Sequence, residues 1–124
     1  MKALKVCVKQ EPEVIDFDGS LEAMQEIVEG YVERVFFTLH DTEFEMWVNE
    51  EGLFNGCLNN DFAGGLVGFS RDDLTCRIFG NVLITMEDDG ESRGLSPSEM
   101  NLIFSMWGSR LDSLQLYLDR VILT

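Results

Sequence analysis

The chain has 124 residues, 45% of them apolar, and a formal net charge of -14. That length suits one domain with one core, and the apolar share excludes a disordered acidic tail. A one-signed field of this strength repels nucleic acid and anionic membrane and attracts basic protein surfaces.

Residues 2–8 read as a strand with Leu4, Val6 and Val8 on one face. This alternation is unlike the continuous apolar run of a signal peptide. Glu11 to Phe17 is a second extended stretch, entered through Pro12. Asp18-Gly19-Ser20 is a turn that leaves Ser20 as an N-cap. The helix that follows runs to about Gly30, with Leu21, Met24, Ile27 and Val28 at helical spacing. Glu22, Glu26, Glu29 and Glu33 fall on the opposite face in one narrow arc, either as an ordinary solvated face or as a contact surface.

Strand patterns follow at Tyr31–Leu39 and Glu43–Asn49, separated by His40-Asp41-Thr42. In the second, Phe44, Met46 and Val48 face one way and Glu43, Glu45 and Trp47 the other. Trp47 is either core to a second layer or an exposed anchor between two glutamates. Asn49-Glu50-Glu51-Gly52 is a turn, after which Leu53-Phe54 resumes the sheet. Residues 55–69, rich in Gly and Asn, read as irregular backbone, with Gly64-Gly65-Leu66-Val67-Gly68 as a glycine-shaped turn. Ser70, Asp72 and Asp73 suggest the start of one short helical turn.

Ile78–Met86 is a strong strand, followed by the acidic turn Glu87-Asp88-Asp89-Gly90. Ser96-Pro97-Ser98-Glu99 is a capping box that opens a helix carrying Met100, Ile103, Phe104 and Trp107. Beyond Gly108 the apolar spacing resumes, as one long helix or as two that meet there. The segment 109–124 is very apolar for an exposed end and is expected to pack on the sheet or on a second subunit. The pattern as a whole is α+β: a mainly antiparallel sheet of about five strands with two or three helices packed on it, residues 1–124 forming a single domain.

Between Glu11 and Glu51 lie thirteen carboxylates and a single base, Arg34. Little else in the chain encodes chemistry. His40 is the only histidine, and Cys7, Cys57 and Cys76 lack structural zinc spacing. They read as reduced, buried thiols of a cytoplasmic protein. Asp16-Phe17-Asp18-Gly19 and Asp88-Asp89-Gly90-Glu91 lack the spacing of a calcium loop and are explained by turn geometry. No phosphate-binding loop or nucleophile elbow is present, no metal or other cofactor is expected, and the chain reads as a non-enzyme.

Three stretches carry a family resemblance. They are Met24-Gln25-Glu26-Ile27-Val28-Glu29-Gly30-Tyr31-Val32-Glu33, then Val48-Asn49-Glu50-Glu51-Gly52-Leu53 with Asn59 following, and Ile78-Phe79-Gly80-Asn81-Val82-Leu83-Ile84. From Leu21 to Met100 the chain resembles the domain-of-unknown-function family numbered 3846. It departs from the family pattern by inserted residues around Ser70–Arg77 and by the apolar tail. The resemblance implies a small α+β fold and an origin in phages or plasmids, and it supplies no catalytic residues.

The expected function is therefore a non-enzymatic acidic inhibitor that counters a host defence or nucleic-acid-handling protein in the host cytoplasm. Glu22, Glu26, Glu29, Glu33, Glu43, Glu45 and Trp47 would form a nucleic-acid-mimicking face toward a basic protein surface, with no direct nucleic-acid or membrane binding. The alternative is a homo-oligomer, assembled through 109–124, that sequesters a small molecule or nucleotide signal with Asn55, Asn59, Asn60, Arg71, Arg77 and Arg93.

Overall fold

Period-two alternation puts successive side chains on opposite faces of a strand. Where both faces are covered, both sets become core, and that is the arrangement here. The computed structural model describes residues 1–109. Apart from Ser109, the proposed oligomer segment 109–124 lies outside them.

Six strands are present among the described residues: β1 (Lys2–Val6), β2 (Glu13–Asp16), β3 (Val32–Leu39), β4 (Thr42–Asn49), β5 (Val82–Asp88) and β6 (Glu91–Arg93). They form one antiparallel sheet in the order β2-β1-β5-β4-β3, with β6 paired to β5. Helix α1 (Leu21–Val28) packs on one face. Its side holds Ala3, Phe17, Met24 and Leu83, with Ile27, Val32 and Trp47 against them. Helix α2 (Asp61–Arg71) and a third helix, α3, over residues 97–109 cover the other face. There Leu4, Met46 and Ile84 meet Phe62, Leu66 and Ile103. Phe37 and Phe44 stack across β3 and β4 with centroids 5.2 Å apart, a pairing worth about 1 kcal/mol beyond the area it buries.

The α+β architecture agrees with the sequence pattern, and the local capping signals hold. Ser20 Oγ accepts from the Ala23 N–H at 3.1 Å, and Glu29 ends α1 in a left-handed conformation. Ser96 Oγ accepts from the Glu99 N–H at 3.2 Å while Glu99 Oε1 accepts from the Ser96 N–H at 2.7 Å. The described part of α3 runs through Gly108.

Four expectations are corrected. Residues 61–71 are helical, although the glycines there suggested irregular backbone and a turn at 64–68. Asn60 caps this helix through Ala63 N–H, and Phe62, Ala63, Leu66 and Val67 bury one side of it, which outweighs the cost of three glycines. Ser70 belongs to the end of the same helix, and Asp72 is its left-handed cap, so no new helical turn begins there. Leu53-Phe54 is turn, not strand: Asn49 Oδ1 accepts from Glu51 N–H, Asn55 N–H bonds Glu51 C=O, and both apolar side chains stay exposed. Strand β5 begins at Val82, not Ile78, because Gly80 at φ +90° turns the chain after a single bridge between Phe79 and Asn59.

Candidate functional site

The acidic residues sort by sheet face. Strand register places Arg34, Trp47 and Leu83 in one row and Phe36, Glu45 and Thr85 in the next, both on the side that carries α1. Helix α1 covers Trp47 and Leu83. Trp47 is half-buried and donates from Nε1 to Thr85 Oγ1 at 2.9 Å, so it is core to a second layer.

Glu45 is fully buried. Its Oε1 accepts from Thr85 Oγ1 and Ser92 Oγ, each at 2.8 Å, and its Oε2 accepts from Arg34 Nη1 at 3.1 Å. The guanidinium of Arg34 lies over the Phe36 and Trp47 rings, 4.8 and 5.8 Å from their centroids. A buried carboxylate needs a partner charge and filled acceptor positions, and these groups supply both. The cluster thus joins β3, β4, β5 and β6, and it removes Glu45 from the contact surface. With its oxygens occupied, the carboxylate is poorly placed to serve as a base or a nucleophile.

Of the other acidic positions, Glu22 and Glu26 are exposed on α1. Glu43, opposite Thr38, is exposed on the same side of the sheet as α1, as is Glu87, opposite Ser92. Glu29 is the exposed cap of α1, its carbonyl accepting from Asn49 Nδ2 at 3.3 Å. Glu33 pairs with Val48 and so lies on the opposite sheet face from α1. The narrow arc of four helical glutamates is therefore broken, because α1 ends at Val28 and Glu33 enters β3. Glu87 is the residue that the sequence reading left out. Its strand parity with Thr85 was the available signal, masked because Glu87-Asp88-Asp89-Gly90 reads as a turn, whereas β5 runs through Asp88.

The six residues of the sequestering alternative do not converge. Asn60 is buried in a structural role, donating to Val6 and Gly80 carbonyls at 3.0 and 2.9 Å. Asn55 Nδ2 donates to Asn49 Oδ1 at 3.3 Å. Arg71 reaches Phe36 C=O at 3.5 Å, at the end of α2. Arg93 forms a two-bond pair with Glu99 at 2.9 and 2.8 Å. That pairing, aided by the Ser96 hydrogen bonds and opposed by burial, lowers the Glu99 carboxyl to about 2. Asn59 and Arg77 alone share a cleft, of about 210 Å³, along the glycine-bearing side of α2. Arg77 is held there by the Leu74 and Cys76 carbonyls, each at 3.0 Å.

Among the described residues no three His, Cys, Asp or Glu side chains are grouped to hold a metal, and no helix is long and apolar enough to cross a membrane. A family model described as a domain of unknown function (DUF3846) matches residues 1–108. No curated protein and no solved structure matches the chain.

Proposed function

The chain belongs to the DUF3846 family, whose description carries no activity, and from its geometry we propose a non-enzymatic acidic binding protein. The α1 side is presented to a basic protein surface, one that ordinarily holds nucleic acid. Glu22, Glu26, Glu43 and Glu87 stand there in the place of phosphates. The finer reading, an inhibitor of a host defence or nucleic-acid-handling protein carried by a phage or other mobile element, follows from the resemblance together with this charge.

One observation carries the proposal. Those four glutamates are exposed on one side of the sheet, and none holds a cation among the described residues, whose three ion pairs are Lys2–Asp16, Arg34–Glu45 and Arg93–Glu99. Unneutralised surface carboxylates raise the local attraction for a basic partner and make binding fall with salt. The sequestering alternative is weaker, since only Asn59 and Arg77 line a common cleft.

Affinity capture from nuclease-treated host lysate at low and high salt tests this, with captured proteins identified by mass spectrometry. Nucleic-acid-binding proteins are expected, released as salt rises. Changing Glu22, Glu26, Glu43 and Glu87 to Gln is expected to abolish their capture. Salt-independent capture, or full capture by the four-fold variant, overturns the proposal.

A further inference from the structure

The two edges of the sheet differ. Strand β2 has four residues, whereas β3 has eight and its outer edge is only partly covered by the described residues. The hydrogen-bonding parity of β3 follows from its neighbours. Thr38 N–H donates outward to Ser70 Oγ at 2.7 Å, and Phe36 C=O faces Arg71 Nη2 on the same outer edge. Tyr31 C=O instead accepts from Glu50 N–H on the β4 side. Even-numbered residues therefore direct their backbone groups away from β4. The end of α2 caps this edge down to Phe36 C=O. Before it, the Val32 C=O, Arg34 N–H, Arg34 C=O and Phe36 N–H have no hydrogen-bond partner among the described residues.

A groove of about 260 Å³ flanks that open stretch on the face away from α1. Glu33, Val35, Glu50, Glu51, Leu53 and Phe54 line it, as does Arg77, so its walls carry three carboxylates against one guanidinium. Leu53 and Phe54 are 61% and 89% exposed, so the turn after β4 offers apolar surface beside three carboxylates. On the other face the open edge presents the Arg34 guanidinium lying over Phe36.

We propose that β3 is a strand-addition site for an extended basic peptide segment of the protein partner, paired along Val32–Phe36. Backbone pairing satisfies the four open groups. Alternate side chains of the incoming strand then fall into the groove, its apolar ones against Val35, Leu53 and Phe54 and its Lys or Arg against Glu33, Glu50 and Glu51. The occupant is a basic segment and not a second copy, because two chains of charge -14 repel and would oppose these carboxylates to one another. For the sign of the partner's charge the inference rests on the proposed function, and the pairing rests on the open edge alone.

Amide hydrogen exchange read by NMR on the full chain tests it, with the capped nine-residue peptide Thr-Lys-Thr-Val-Thr-Lys-Thr-Val-Thr as the probe, whose Lys and Val side chains share one strand face. In the free protein the Arg34 and Phe36 amides are expected to exchange fast and those of Val35 and Phe37 slowly. Saturating probe slows Arg34 and Phe36 by about ten-fold or more, as expected for new strand bonds. N-methylating alternate residues of the probe in one register removes this protection, and in the other register leaves it. Probe binding that leaves both amides fast overturns strand addition while sparing the acidic-surface reading. Concentration-dependent protection without probe assigns the edge to a second copy and overturns the inference. Equal protection by the same peptide with Glu in place of Lys keeps the edge pairing and overturns the charge reading, and no binding of either peptide overturns both.

Discussion

Arg34 Nη1 donates to Glu45 Oε2 at 3.1 Å, joining a partly exposed guanidinium to a fully buried carboxylate on the neighbouring strand. Truncating Arg34 leaves that carboxylate with two hydroxyl donors and no counter-charge. Arg34→Ala is expected to destabilise by about 2–3 kcal/mol, below the full value for a buried pair because the arginine is 40% exposed. In a Glu45→Gln background the same truncation is expected to cost less than half as much. Urea unfolding of the four proteins gives the coupling. An equal cost in both backgrounds would assign the role of Arg34 to its stacking on Phe36 and Trp47.

The Arg93–Glu99 pair gives the fold an acid-sensitive component. The Glu99 carboxyl lies near 2 in the folded chain, against an ordinary value of 4.5, chiefly because Arg93 bonds its ionised form. The folded value is depressed, so the stabilisation is fully present above about 4.5 and is lost as pH falls from there toward 2. With Arg93 partly exposed to solvent, it amounts to about 1 kcal/mol. Glu99→Gln retains a capping side chain at that position but no charge. Denaturant unfolding across this range should show the wild-type advantage over Glu99→Gln at neutral pH and its disappearance near pH 2.

Asn60 caps α2 and also holds β1 and the turn at Gly80 through its side-chain amide. Asn60→Ala removes the cap and leaves two buried carbonyls short of a donor, and is expected to cost about 3 kcal/mol. Asn60→Asp keeps the cap acceptor but sets a buried carboxylate oxygen against the two carbonyls, and should cost at least as much as Ala in thermal unfolding.

Two glycines of α2 are expected to respond in opposite directions. A methyl group at Gly68 would lie 2.5 Å from the Asp73 carbonyl, whereas one at Gly65 would meet nothing within 4 Å among the described residues. Gly65→Ala should stabilise by about 0.5–1 kcal/mol through helix propensity. Gly68→Ala should destabilise, since the 73–76 backbone must move. Chemical denaturation of both variants reads the contrast directly.

Signals confined to a few neighbouring residues were legible in the sequence. Ser20 and the Ser96–Glu99 box mark helix starts because a cap and its N–H partner are three residues apart. The two-faced pattern of β4 follows from strand geometry in the same way. Helix α2 was not legible, because its glycines carry low helix propensity. The reason for Gly68 appears only when the backbone of a later loop is brought against the helix. Glu33 was assigned to the helical arc on its four-residue spacing from Glu29, although it lies beyond the helix end near Gly30 and belongs to β3.

The sequence by itself determined the excess of carboxylates, the antiparallel α+β pattern and the caps, all of which depend on composition or on near neighbours. Only the tertiary structure decided which carboxylates stay on the surface. Glu43 and Glu45 share one strand face and one charge, yet Glu43 meets water while Arg34, Thr85 and Ser92 enclose Glu45. Those partners lie 11, 40 and 47 residues away in the chain, so their convergence depends on strand order and register, which no local pattern encodes.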